Sequence, residues 1–142
     1  PANAVIAGIQ LCHASLVDIS TYIAWPELAV ESFAVMESTL CFFGHTHFAE
    51  WFVQRQSGRL PEQMTASDGK PIALEEGSRY MINPGAVGQP RDGDSRAAFA
   101  VFDDLDESVT IHRVEYDVAS AQQQIIAAGL PAGLAARLIC GS

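Results

Sequence analysis

A chain of 142 residues, 49% hydrophobic and 18% charged, can bury one core, and no apolar run approaches the roughly 20 residues of a membrane helix or the pattern of a cleavable signal peptide. The net charge of −9, with Lys70 the only lysine, removes the basic footprint that nonspecific nucleic-acid binding requires; a long DNA or RNA partner is excluded, while a small nucleotide is not. Three cysteines, at 12, 41 and 140, show no framework spacing and predict free thiols in a reducing cytoplasm, without membrane association.

Apolar alternation predicts strands near residues 4–7 and 10–13, followed by a helix over 26–37 with Pro26 at its start. Leu28, Val30, Phe33 and Val35 or Met36 are expected to form the buried stripe of that helix. Strands are expected next near 39–43 and 49–55. Residues 57–76 are polar and carry Gly58, Pro61, Gly69 and Pro71, so they read as a long hairpin connection or a mobile loop. Further strands are expected near 79–83, 97–102 and 108–115, with His112 a surface residue of the last. A helix over 118–128 would place Val118, Ala121, Ile125 and Ala128 on one face. Gly129 and Pro131 end it before a short terminal helix over 132–139. The pattern predicts one α+β domain over 1–142.

Chemistry concentrates where strands give way to loops, the usual place for ligands in open sheets. Thr39-Leu40-Cys41-Phe42-Phe43 runs directly into Gly44-His45-Thr46-His47, which puts two imidazoles on a tight turn able to serve one metal ion or two adjacent ones. A structural zinc site would want four ligands at paired spacings, and the cysteines lack them. His13 follows the strand Gln10-Leu11-Cys12 in the same way. Residues 79–94 repeat the theme: Arg79-Tyr80-Met81-Ile82 leads into Asn83-Pro84-Gly85-Ala86-Val87-Gly88-Gln89-Pro90-Arg91-Asp92-Gly93-Asp94. In that loop Pro84 and Pro90 add stiffness, glycines free amides for an anion, and Arg91 offers a bidentate guanidinium for phosphate.

In this order the His13-Ala14-Ser15, Gly44-His45-Thr46-His47 and Asn83 to Asp94 segments resemble the C-terminal half of a calcineurin-like metallophosphoesterase, closest to the small bacterial and archaeal phosphodiesterase branch. The resemblance extends from about Val5 to Leu138. It implies an α/β/β/α sandwich of which this chain supplies mainly the second sheet. It further implies a dinuclear site of divalent ions, manganese, iron, zinc or nickel, with His13 and His45 on one ion and His47 on the other. Arg91, or in second place Arg96, would stabilise charge on the non-bridging phosphoryl oxygens, and Asn83 would either contact substrate or shape the loop. Two departures stand out: Ala14 and Leu16 occupy positions where the family commonly has glycine and proline. The DxH, GD and GNH segments of the family's N-terminal half have no counterpart, the only Gly-Asp being Gly93-Asp94. The expected function is hydrolysis of a small phosphoester or nucleotide once an N-terminal half, or a second copy, completes the site. The alternative is a non-catalytic remnant that serves as a protein-association module.

Overall fold

The computed structural model describes residues 3–142. Strands β1 (Asn3–Ile6) and β2 (Ile9–Cys12) form a hairpin, and helix α1 (Pro26–Val35) leads to β3 (Leu40–Phe42) and β4 (Ala49–Gln54). After β5 (Glu62–Thr65), β6 (Pro71–Ala73) and β7 (Arg79–Pro84) come the hairpin β8 (Ala97–Asp103) and β9 (Ser108–Val114), then helices α2 (Val118–Ala127) and α3 (Ala132–Cys140). Six strands form a mixed sheet in the order β1-β2-β3-β7-β4-β5, and three form an antiparallel sheet in the order β6-β9-β8. This is the α+β class expected.

Side-chain alternation along the central strands builds two cores, one on each face of the larger sheet. On one face Cys41 of β3, Phe43 just after it, Phe52 of β4 and Met81 of β7 meet Ile23, Ala29, Phe33 and Met36 from α1 and its flanks. On the other, Leu40, Val53, Tyr80 and Ile82 meet Ile72, Val109 and Ile111 of the smaller sheet. The layers are therefore helix, sheet, sheet.

Two expectations need correction. Residues 57–76 contain two strands: β5 pairs with β4 and β6 with β9. Every residue of β5 is exposed and β6 buries only Ile72, so both are held by ladder hydrogen bonds and carry no burial periodicity to read. In α1, Val30 and Val35 face solvent at 40% and 52% exposure. The buried set is Ala29, Ser32, Phe33 and Met36, the i, i+3, i+4, i+7 spacing of one helix face. Ser32 is buried because its hydroxyl meets Ser15 Oγ at 2.9 Å and accepts from the Leu16 amide at 3.2 Å, fastening the loop after His13 onto the helix.

The terminal helices are closed by their caps. The Asp117 carboxylate accepts from the Ser120 amide at 2.9 Å, and Gly141 ends α3 at φ 62°. A Cβ on Gly141 would lie 2.7 to 2.8 Å from the backbone of Asp94, so only glycine lets the end of α3 seat on that loop. Val118, Ala121 and Ile125 are half-buried, whereas Ala128 is exposed. All three cysteines are free; Cys12 and Cys41 touch at 3.7 Å between sulfurs, and that contact together with burial pushes the Cys41 thiol up. Among the described residues no helix is long and apolar enough to cross a membrane.

Candidate metal centre

Strands β2, β3 and β7 run parallel, so their carboxyl ends lie side by side. Consequently the three loops singled out from the sequence emerge together: His13 after β2, Gly44–His47 after β3, and the Asn83–Asp94 loop at the end of β7. The Gly44 amide donates to the His13 carbonyl at 3.0 Å and the Phe43 amide to the Ile82 carbonyl at 3.0 Å, which locks them in step.

His13 Nε2 and His45 Nδ1 stand 2.9 Å apart, with the rings edge to face at 63°. Two nitrogens bound to one ion at about 2.0–2.1 Å also lie about 3 Å apart, so this pair suits neighbouring positions on a single ion. His47 belongs to the same turn, but its Nδ1 donates to the Gln89 carbonyl at 2.7 Å. A carbonyl can only accept, so the proton is on Nδ1 and Nε2 keeps its lone pair for a ligand. Among the described residues no three His, Cys, Asp or Glu side chains converge, so a complete coordination shell is not formed by them. Both turn histidines hold left-handed backbone, at φ 72° for His45 and 64° for His47, a conformation side chains rarely adopt. Ala14 does not need the freedom of glycine: it is fully buried and its φ is not positive.

Burial holds the His45 pKa below the ordinary histidine value, and the nearby His13, His47 and Arg91 act in the same direction, against a backbone hydrogen bond to Ser20. Tyr22 covers His45, ring centroids 3.9 Å apart, while remaining 46% exposed. No local pattern marks Tyr22 for this place, since the contact is formed only in space.

Arg91 donates its amide to the His47 carbonyl at 3.2 Å and an Nη2 hydrogen to Gln89 Oε1 at 3.2 Å, whereas its Nε is buried without an acceptor. Spare donor capacity thus sits beside the histidine turn. Arg96 is committed elsewhere, bonded to Asp68 at 2.8 Å and Asp94 at 2.6 Å. Asn83 is engaged with the turn itself. Wholly buried, it donates to the Gly44 carbonyl at 3.2 Å and to Thr46 Oγ1 at 2.8 Å, and accepts from the Gly85 amide at 3.0 Å. Of the two roles expected for it, the geometry supports loop shaping. Asp92 caps the Ala49 amide at 2.9 Å and pairs with Arg113, both side chains being nearly buried. His112 is half-buried and stacks on Phe99 at 5.3 Å.

Loops bearing histidines and an arginine at the carboxyl ends of a mixed sheet, backed by a second sheet and a helix, give this chain the fold of part of a metallophosphoesterase domain, consistent with the calcineurin-like type. Its whole length superposes on the crystal structure of a metallophosphoesterase from Sphaerobacter thermophilus with a TM-score of 0.92 and 38% identity, covering 58% of that chain. An uncharacterised protein of Methanocaldococcus jannaschii is 43% identical over 102 residues, which are 72% of this chain and 39% of that protein. A hypothetical protein of Pyrococcus horikoshii OT3 shares the fold at a TM-score of 0.68 and 18% identity, with all of this chain covering 51% of it. The chain thus spans between about two fifths and three fifths of the length of these relatives. No family model matches the sequence.

Proposed function

We propose that this chain contributes His13, His45, His47 and Arg91 to a metal-dependent phosphoesterase site acting on a small phosphodiester, phosphomonoester or nucleotide. The observation that carries the reading is the meeting of His13 Nε2 and His45 Nδ1 at 2.9 Å, where three parallel strands end. His13 and His45 would hold one divalent ion, and His47, its tautomer fixed by the Gln89 carbonyl, would present Nε2 to a second. Divalent ions in such sites, manganese, iron, zinc or nickel, activate water and neutralise phosphoryl charge. Arg91 would donate to the non-bridging oxygens, using the guanidinium hydrogens its present partners leave free. The remaining ligands would come from an N-terminal half or a second copy.

Exposed apolar side chains on the edge strands support such a partner: Val5 and Ile6 on β1, Phe99 and Val101 on β8. They equally favour the second reading, a non-catalytic association module. The free thiols fit a reducing cytoplasm.

The test is metal content after manganese loading, paired with hydrolysis of bis(p-nitrophenyl) phosphate. Stoichiometric metal and turnover lost in His45→Ala support the enzyme. A chain that binds no metal but elutes as a stable dimer by light scattering favours the association module.

A further inference from the structure

Glu50 lies in β4 with its side chain turned into the protein; the residue is 7% exposed, and among the described residues no cation pairs with it. Burial pushes this carboxyl above the usual carboxylate range. An unpaired inward carboxylate is costly and needs a reason. Its oxygens accept from Thr46 Oγ1 at 3.2 Å and from Gln63 Nε2 at 2.7 Å.

Thr46 stands between His45 and His47, and its hydroxyl oxygen already accepts from Asn83 Nδ2 at 2.8 Å and the Phe48 amide at 3.3 Å. With both lone pairs taken, the hydroxyl hydrogen has to be donated, and Glu50 is the acceptor in reach. On the other side, Gln63 Nε2 spends its second hydrogen on the Ala24 carbonyl at 2.9 Å. Ala24 belongs to the segment that runs from His13 through Tyr22 to α1. One carboxylate therefore reaches both the histidine turn and the segment that lays Tyr22 over His45.

We infer that Glu50 is a positioning residue of the metal centre, holding the His45–His47 turn through Thr46 and, through Gln63, the segment that lays Tyr22 over His45. This rests on the metal reading above and adds a residue that touches neither ion nor substrate.

Glu50→Ala removes both arms, and Glu50→Gln keeps an acceptor oxygen for Thr46. The primary readout is NMR of the metal-free chain, following the imidazole signals and the Asn83 side-chain amide, and cobalt titration comes second. In Glu50→Ala the His45, His47 and Asn83 signals should move while amides of β8 and β9 stay in place, and cobalt affinity should fall about 10- to 100-fold. Glu50→Gln should return the His47 and Asn83 signals and most of the affinity. Gln63→Ala, at an exposed position, cuts only the second arm and should move the Tyr22 and His45 signals while His47 and Asn83 stay in place; it also serves if Glu50→Ala fails to fold. Wild-type ring and Asn83 signals in Glu50→Ala overturn the inference, as do unmoved Tyr22 and His45 signals in Gln63→Ala. A wild-type chain that takes up no cobalt defeats the metal reading by itself, and the ring signals still decide for or against Glu50.

Discussion

Replacing Asn83 by alanine removes three hydrogen bonds at a wholly buried position, and the partners left behind set the cost. The Gly44 carbonyl keeps the Thr46 amide at 2.9 Å, and Thr46 Oγ1 keeps the Phe48 amide at 3.3 Å, so each loses only the net worth of a bond, about 0.5–1.5 kcal/mol. The Gly85 amide is different. It is left without a partner, in a turn whose Cβ position is hemmed in by Ala98 at 3.0 Å and Ala49 at 3.3 Å, and a stranded donor costs about 1–3 kcal/mol. Because such terms are not additive, about 3 kcal/mol is expected, a large share of a domain's usual 5–15 kcal/mol. Urea unfolding followed by the fluorescence of Trp25 and Trp51 measures it. Asn83→Asp sharpens the test: it keeps the acceptor for Gly85 but turns a buried carboxylate on two oxygens, so it should be at least as destabilising at neutral pH. A loss below about 1 kcal/mol for alanine, or an aspartate variant milder than alanine, would refute the assignment of Asn83 as the anchor of the turn.

Arg113→Met leaves Asp92 nearly buried without its cation, and a loss of about 3–5 kcal/mol is expected in the same urea assay; adding Asp92→Asn should recover part of it, since the amide oxygen can still cap Ala49. Asp94, bonded first of all to Arg96, has its pKa lowered to about 2. Its contribution is therefore present above the ordinary carboxylate value of about 3.9 and is lost as pH falls toward 2, so Asp94→Asn should flatten the dependence of Tm on pH between about 4 and 2. For His45 the sign is the same: a depressed folded pKa means that stability falls as pH drops from about 6.5 toward the folded value. An NMR titration of the ring should give a midpoint below about 6.5, and one at or above it would contradict the burial and positive neighbours found here.

What could be read from the sequence divides by the kind of force involved. Strands β2, β3 and β7 were legible because burial writes an apolar run, and the turns after them carry chemistry in adjacent letters, as in Gly44 to His47. The partners β5 and β6 were not, because pairing without burial leaves no periodic trace. On α1 the face was misread since Ser32, a polar residue, points inward to serve the His13 loop, while two valines point out. Tyr22 over His45 joins residues 23 positions apart and no local pattern announces it. Glu50 left a faint signal: a charge at the position that shares an inward face with Phe52, where alternation calls for an apolar residue.

The left-handed backbone at His45 and His47 sets the centre against the stability of its own chain. Glycine would occupy either position without the strain of about 1–2 kcal/mol each that a side chain brings there. A library sorted for thermal tolerance alone should therefore drift to glycine at both, yielding sturdier proteins that have shed the two imidazoles proposed as ligands while the fold carries no mark of the change. Directed evolution of this scaffold needs retention of those two imidazoles as a second selection from its first round.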